Sequence, residues 1–135
     1  MTLLLDSSVF ITLERRRLPP GALARVAPEE PIALASITAS ELLAGVHRAD
    51  SLARHMQREA FVESILEHVP VLPFDLRAAR IHAHVWAELT ASGQLIGAHD
   101  LIIGATALAN GCSVLTDNLR DFERVPGLNV RRPSW

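Results

Sequence analysis

A chain of 135 residues, 49% of them hydrophobic, is long enough to bury one core and too apolar to be a disordered segment. Its apolar runs stop well short of the ~20 residues that cross a bilayer, so membrane-spanning helices are excluded. The net charge of −2 supplies no general basic surface for a polyanion, although all thirteen basic residues are arginine and some cluster, as Arg15-Arg16-Arg17 and Arg131-Arg132. The N-terminal stretch Met1 to Asp6 has no basic region ahead of its apolar run. The single cysteine, Cys112, has no intramolecular partner and suits a reducing compartment, so a cytoplasmic location is expected.

In chain order, Thr2 to Leu5 predicts a short strand, and Asp6-Ser7-Ser8 supplies N-cap residues for a helix running to Arg17. Pro19 and Pro20 close that helix, and a short helical piece follows from Ala22 to Val26. Pro31 to Ser36 reads as a second strand and Thr38 to Arg48 as a helix. Asp50 to Glu67 is amphipathic, and Val69 to Leu72 is a third strand. Asp75 caps the next helix, which Gly93 ends. Asp100 to Asn110 is apolar nearly all round, the pattern of a helix buried on every side. Cys112 to Thr116 gives a fourth strand and Gly127 to Arg132 a fifth at the edge. Strands alternating with helices imply an α/β fold, a mostly parallel sheet of four to five strands covered on both faces, within one domain spanning residues 1–135.

In such a sheet, function gathers at the carboxyl ends of the strands. Asp6 ends the first strand, Glu41 lies on the helix after the second, Asp100 opens the buried helix, and Asp117 follows the fourth strand with Asp121 a helical turn further on. Each has a purely structural use. Asp6 can cap its helix, Thr38-Ala39-Ser40-Glu41 fits a capping box, Asp100 suits a helix N-terminus, and Asp117-Asn118 suits a polar turn. Their joint placement points elsewhere. Two carboxylates ~4 Å apart repel by about 4 kcal/mol at an effective dielectric near 20, so a converging cluster calls for a cation. Oxygen donors without dedicated His or Cys partners suit Mg2+ or Mn2+. His82 and His84, two apart on a helix, face different ways, and no glycine-rich phosphate loop follows the first strand.

The chain resembles the PIN domain and, within it, the VapC-type toxins. The resemblance is carried by Leu5-Asp6-Ser7-Ser8-Val9, by Ser36 to Leu42 with Glu41, by Ile96 to Ala107 with Gly97-Ala98-His99-Asp100, and by Val114 to Phe122 followed by Arg124-Val125-Pro126-Gly127. It implies a three-layer α/β/α nuclease fold whose acidic pocket is formed by Asp6, Glu41, Asp100 and Asp117, with Mg2+ (or Mn2+) held by Asp6 and Asp100. Ser7, Ser8, Thr116 and Asn118 would support the carboxylates, and Asp121 is the alternative fourth acid. Ser7 stands where the family commonly has threonine and keeps the hydroxyl. The resemblance further implies hydrolysis of RNA phosphodiester bonds, in transfer or ribosomal RNA, that inhibits translation. Its partners would be a second copy of the chain and a VapB-type antitoxin. The same acids would equally serve a housekeeping RNA-processing nuclease without antitoxin, and a catalytically silent interaction module is the remaining alternative.

Overall fold

The computed structural model describes residues 1–27 and 29–135. Five short strands, β1 (Leu3–Leu5), β2 (Ile32–Ala35), β3 (Val71–Leu72), β4 (Ser113–Leu115) and β5 (Val130–Arg131), form one sheet in the order β3-β2-β1-β4-β5. Every pairing is parallel. β1 is therefore central, pairing Leu3 and Leu4 with Ile32 and Ala33 on one side and Leu3 to Leu5 with Ser113 to Leu115 on the other. Its three leucines are all buried because both faces of the sheet are covered.

Side chains alternate across the pleat, which divides the core in two. Leu3, Leu5, Leu34 and Leu115 pack against Val9, Phe10 and Leu13 of α1 (Ser7–Arg15), Leu23 and Val26 of α2 (Leu23–Val26), and Ile65 of α4 (Leu52–His68). Leu4, Ala33, Ala35 and Val114 face Ile103 and Ala107 of α6 (Ala98–Ala109) and Phe122 of α7 (Leu119–Phe122). Outside α6 lies α5 (Leu76–Ala91), whose Val85 and Leu89 meet Leu101, Ile96 and Val125. Thus α6 is apolar all round because sheet and helix cover opposite sides of it. No helix among the described residues is long and apolar enough to cross a membrane.

Most expected elements form, with shifted ends. Asp6 caps α1, and the helix closes at Arg15, ahead of the prolines, where Arg17 takes a positive φ of 53°. Asp75 caps α5 through a bond from the Ala78 N–H, Gly93 adopts the left-handed conformation expected after α5, and Gly111 takes the same conformation after α6. The capping box at Thr38 does not form. Helix α3 (Ser36–His47) begins directly from β2 with Ala35 as its uncapped first neighbour, so Thr38 and Glu41 lie inside the helix. Trp86 is exposed on α5, edge-on to His82.

Candidate active site

The sheet order reverses at β1, and the crevice at the carboxyl ends of β1 and β4 is where an open parallel sheet leaves room for a ligand. Asp6 sits there with only 4% of its surface exposed. Its Oδ1 accepts the Ser7 N–H at 2.8 Å, and its Oδ2 accepts the Thr116 hydroxyl at 2.9 Å. The pairing of Leu5 with Leu115 carries Thr116 to that position, and the Asp6 N–H bonds Leu115 O beside it. Thr116 is itself fully buried, and its oxygen accepts the Asn118 N–H at 2.9 Å. Since the single Thr116 proton goes to Asp6, the 3.3 Å contact with Ser8 is donated by Ser8, whose oxygen in turn accepts the Asp117 N–H at 3.1 Å. A relay of donors therefore ends on Asp6. Capping α1 does not exhaust this carboxylate, which has about four acceptor positions.

Asp100 occupies the first turn of α6 and is half-buried. Its carboxyl is pushed up to about 6, first by burial and then by the charges of Asp6, Asp121 and Glu41, with His99 opposing. Those three acids arrive from the β1 end, α7 and α3, so convergence of distant acids is realised. On Glu41, Oε1 is buried without any hydrogen-bond partner, and Oε2 lies 3.5 Å from His99 Nδ1. The nearby Thr38 hydroxyl is likewise buried and unpartnered. A buried carboxylate oxygen left bare costs free energy unless something occupies the space before it.

Asp117 and Asp121 separate clearly. Asp117 is exposed, with Oδ2 accepting from the Thr12 hydroxyl at 3.0 Å and Oδ1 from the Trp135 indole N–H at 3.4 Å. It is not among the charges acting on Asp100. Asp121 is, and it is steadied by a bond from the Asn118 amide at 3.2 Å. Of the two candidates for the fourth acid, Asp121 is half-buried and bears on Asp100, while Asp117 is exposed. Thr12 and Trp135 escaped the sequence reading; the one signal was Thr12 lying four residues after Ser8 on the same face of α1. Arg131, one of the clustered arginines, is held bidentately by Glu30 at 2.8 and 2.7 Å.

Residues 3–128 match the PIN domain family. The chain belongs to that family. This PIN domain is 32% identical over 130 residues to "Ribonuclease VapC1" of Rickettsia felis, covering 96% of the chain and 95% of that protein. It is 35% identical over 97 residues to the "tRNA(fMet)-specific endonuclease VapC" of Salmonella typhimurium, covering 72% and 71%. Its fold superposes on DNA-bound VapBC of Salmonella typhimurium with a TM-score of 0.85 at 29% identity, over 98% of each chain. VapBC-5 of Mycobacterium tuberculosis gives 0.75 at 31% identity, over 97% and 96%. This places the PIN domain in the VapC branch, a family of nucleases that generally depend on a divalent metal. Among the described residues no three His, Cys, Asp or Glu side chains form a ready-made metal cage. Mg2+ needs only one or two protein carboxylates and keeps several waters, so the spaced acids suit it. A cation at this place would relieve both the bare Glu41 oxygen and the raised Asp100 carboxyl.

Proposed function

We propose that this chain is a Mg2+-dependent endoribonuclease acting as the toxin of a VapBC-type toxin-antitoxin pair. The observation that carries the reading is the buried, unpartnered Oε1 of Glu41, beside an Asp100 carboxyl pushed up first by burial and then by Asp6, Asp121 and Glu41. When bound, the cation supplies charge neutralisation and a more acidic water for in-line hydrolysis of a phosphodiester. Asp6 and Asp100 are assigned to hold it. Thr116 fixes the rotamer of Asp6, while Glu41 and Asp121 present acceptors that orient water towards the phosphate. Asp117 braces the end of α1 and the C-terminal Trp135 from outside the reaction.

The reading extends to partners: a VapB-type antitoxin, an RNA substrate of the transfer or ribosomal class, and a second copy of the chain. The antitoxin is supported by the related VapBC complexes, and transfer RNA by the name of the Salmonella typhimurium relative. Purified protein should be incubated with total cellular RNA in Mg2+ or EDTA, beside Asp100→Asn prepared identically. Discrete products from the wild type alone, and only with metal, are expected. The same pattern from both proteins, or no cleavage with any metal, rejects the nuclease.

A further inference from the structure

RNA brings a string of negative charge to a site that is itself acidic, in a protein whose net charge is −2. The phosphates on either side of the one being cut are repelled by the same carboxylates, so positive charge must stand beside the pocket along the strand's path. A groove of about 380 Å³ leaves the acids in one direction. It opens at Ser7 and Glu41, runs between α1 and α3, and reaches Arg15 and Arg48. Both helices start at the carboxyl ends of strands; α1 ends in Arg15, and α3 ends at His47 with Arg48 as its C-cap. Arg15 lies about two turns (~12 Å) from Ser7, and Arg48 about two turns (~10 Å) from Glu41.

The groove continues. Glu14 and Arg58 line both it and a second depression of about 440 Å³ that adds Arg17 and Arg54. The arginines do not play equal parts. Arg58 is fixed by Glu14 at 2.9 Å and by Gly45 O at 3.0 Å, which holds α1, α3 and α4 at a set spacing. Arg54 is committed to Asp50 at 2.9 Å. Arg15, Arg17 and Arg48 are exposed and have no carboxylate partner among the described residues. Of the clustered arginines elsewhere, Arg16 lies 5.3 Å over the Trp135 ring and Arg131 is neutralised by Glu30.

We infer that the groove between α1 and α3 is the track of the RNA strand entering or leaving the acidic pocket, with Arg15 and Arg48 clasping phosphates next to the scissile one and Arg17 extending the path. The inference rests on the nuclease reading and adds to it the course of the substrate. Free guanidinium groups grip phosphate oxygens in pairs, whatever the base sequence. The groove therefore supplies affinity and register, while the acids supply the chemistry.

The test measures binding of a short fluorescein-labelled oligouridylate by anisotropy across a salt series, with Mg2+ present. Asp100→Asn serves as the background so that cleavage does not intervene. Adding Arg15→Gln and Arg48→Gln is expected to weaken binding about tenfold or more near 0.1 M salt. It should also flatten the slope of log affinity against log salt by about 1.4, or ~0.7 for each phosphate contact removed. Arg77→Gln with Arg80→Gln, an equal charge change on exposed positions of α5, should leave both quantities unchanged. Equal losses from the two pairs would reduce the effect to net charge and overturn the track. An unmoved slope in the groove variant, or no oligouridylate binding by a wild type that does cleave RNA, would overturn it too. Unchanged RNA binding with lost association to a purified VapB-type antitoxin would reassign the groove to protein docking. Failure of the nuclease reading has its own signature, a wild type that cleaves no RNA with any metal.

Discussion

Asp100 carries the conflict between stability and chemistry in its own titration. Its folded carboxyl, raised to about 6 from an ordinary 3.8, keeps a proton between those values that the unfolded chain has already released. Metal-free protein therefore loses stability as pH rises through that window, and the whole penalty is in force at pH 7. Asp100→Asn removes it. In EDTA at pH 7 the variant should melt a few degrees above the wild type, about 1 kcal/mol once solvent screening of the half-exposed carboxyl is allowed for, and the gap should close near pH 4. A variant that melts below the wild type at pH 7 would reject the repulsion argument. Thr116 makes a separate case, since its only proton is spent on Asp6. Thr116→Val keeps the shape and loses the donor, so cleavage should fall about 10–100-fold in matched assays, with Thr116→Ser recovering most of it. Asp6 was legible in the sequence because it follows β1 and caps α1, and Asp100 because it falls in the first turn of α6, whereas Glu41 lies well inside α3 and was legible only from its distance beyond β2. The fourth acid was not. Its choice depends on Thr12, 105 residues from Asp117, and on Trp135, both of which capture Asp117.

At the scale of elements, α6 is the piece that must fit most closely, because it carries Asp100 and is covered on opposite sides. Gly104 marks a close approach. A Cβ placed there would stand 3.5 Å from Val125 Cγ2 and 3.7 Å from Leu128 Cδ2, ordinary contact for a methyl group and no room for more. Gly104→Ala should be neutral or stabilising by up to about 1 kcal/mol through helix propensity, whereas Gly104→Leu should cost about 1–3 kcal/mol. Urea unfolding of the two variants checks this, and a Leu variant as stable as Ala would show that α6 has slack. The apolar surround of α6 was readable from residues 100–110 alone, since no other burial pattern leaves so few polar positions. The start of α3 was misread for an equally physical reason. Thr38 and Glu41 have the spacing of a capping box, but a cap works only at a helix end, and β2 hands over to α3 two residues earlier.

For the molecule as a whole, strand order does more than any single contact to make the site. With β1 central and β4 beside it, residues from opposite ends of the sequence meet at one crevice. Cation binding should be visible as global stability: at a hundred times its Kd, Mg2+ adds about 2.7 kcal/mol to the folded state, and calorimetry should show the melting temperature climbing with metal in the wild type but not in Asp100→Asn. The parallel arrangement was legible from alternating strands and helices, whereas the strand order was not, because apolar strands of two to four residues carry no signal of which neighbours they pair with. That order also sets a timetable. Thr116 is 110 residues downstream of the Asp6 it supports, a gap that takes roughly 5–20 s to synthesise. For all that time the growing chain holds its first acid without the strand, the hydroxyl or the Asp121 carboxylate that complete the pocket, so the site can be assembled only as the last elements emerge from the ribosome.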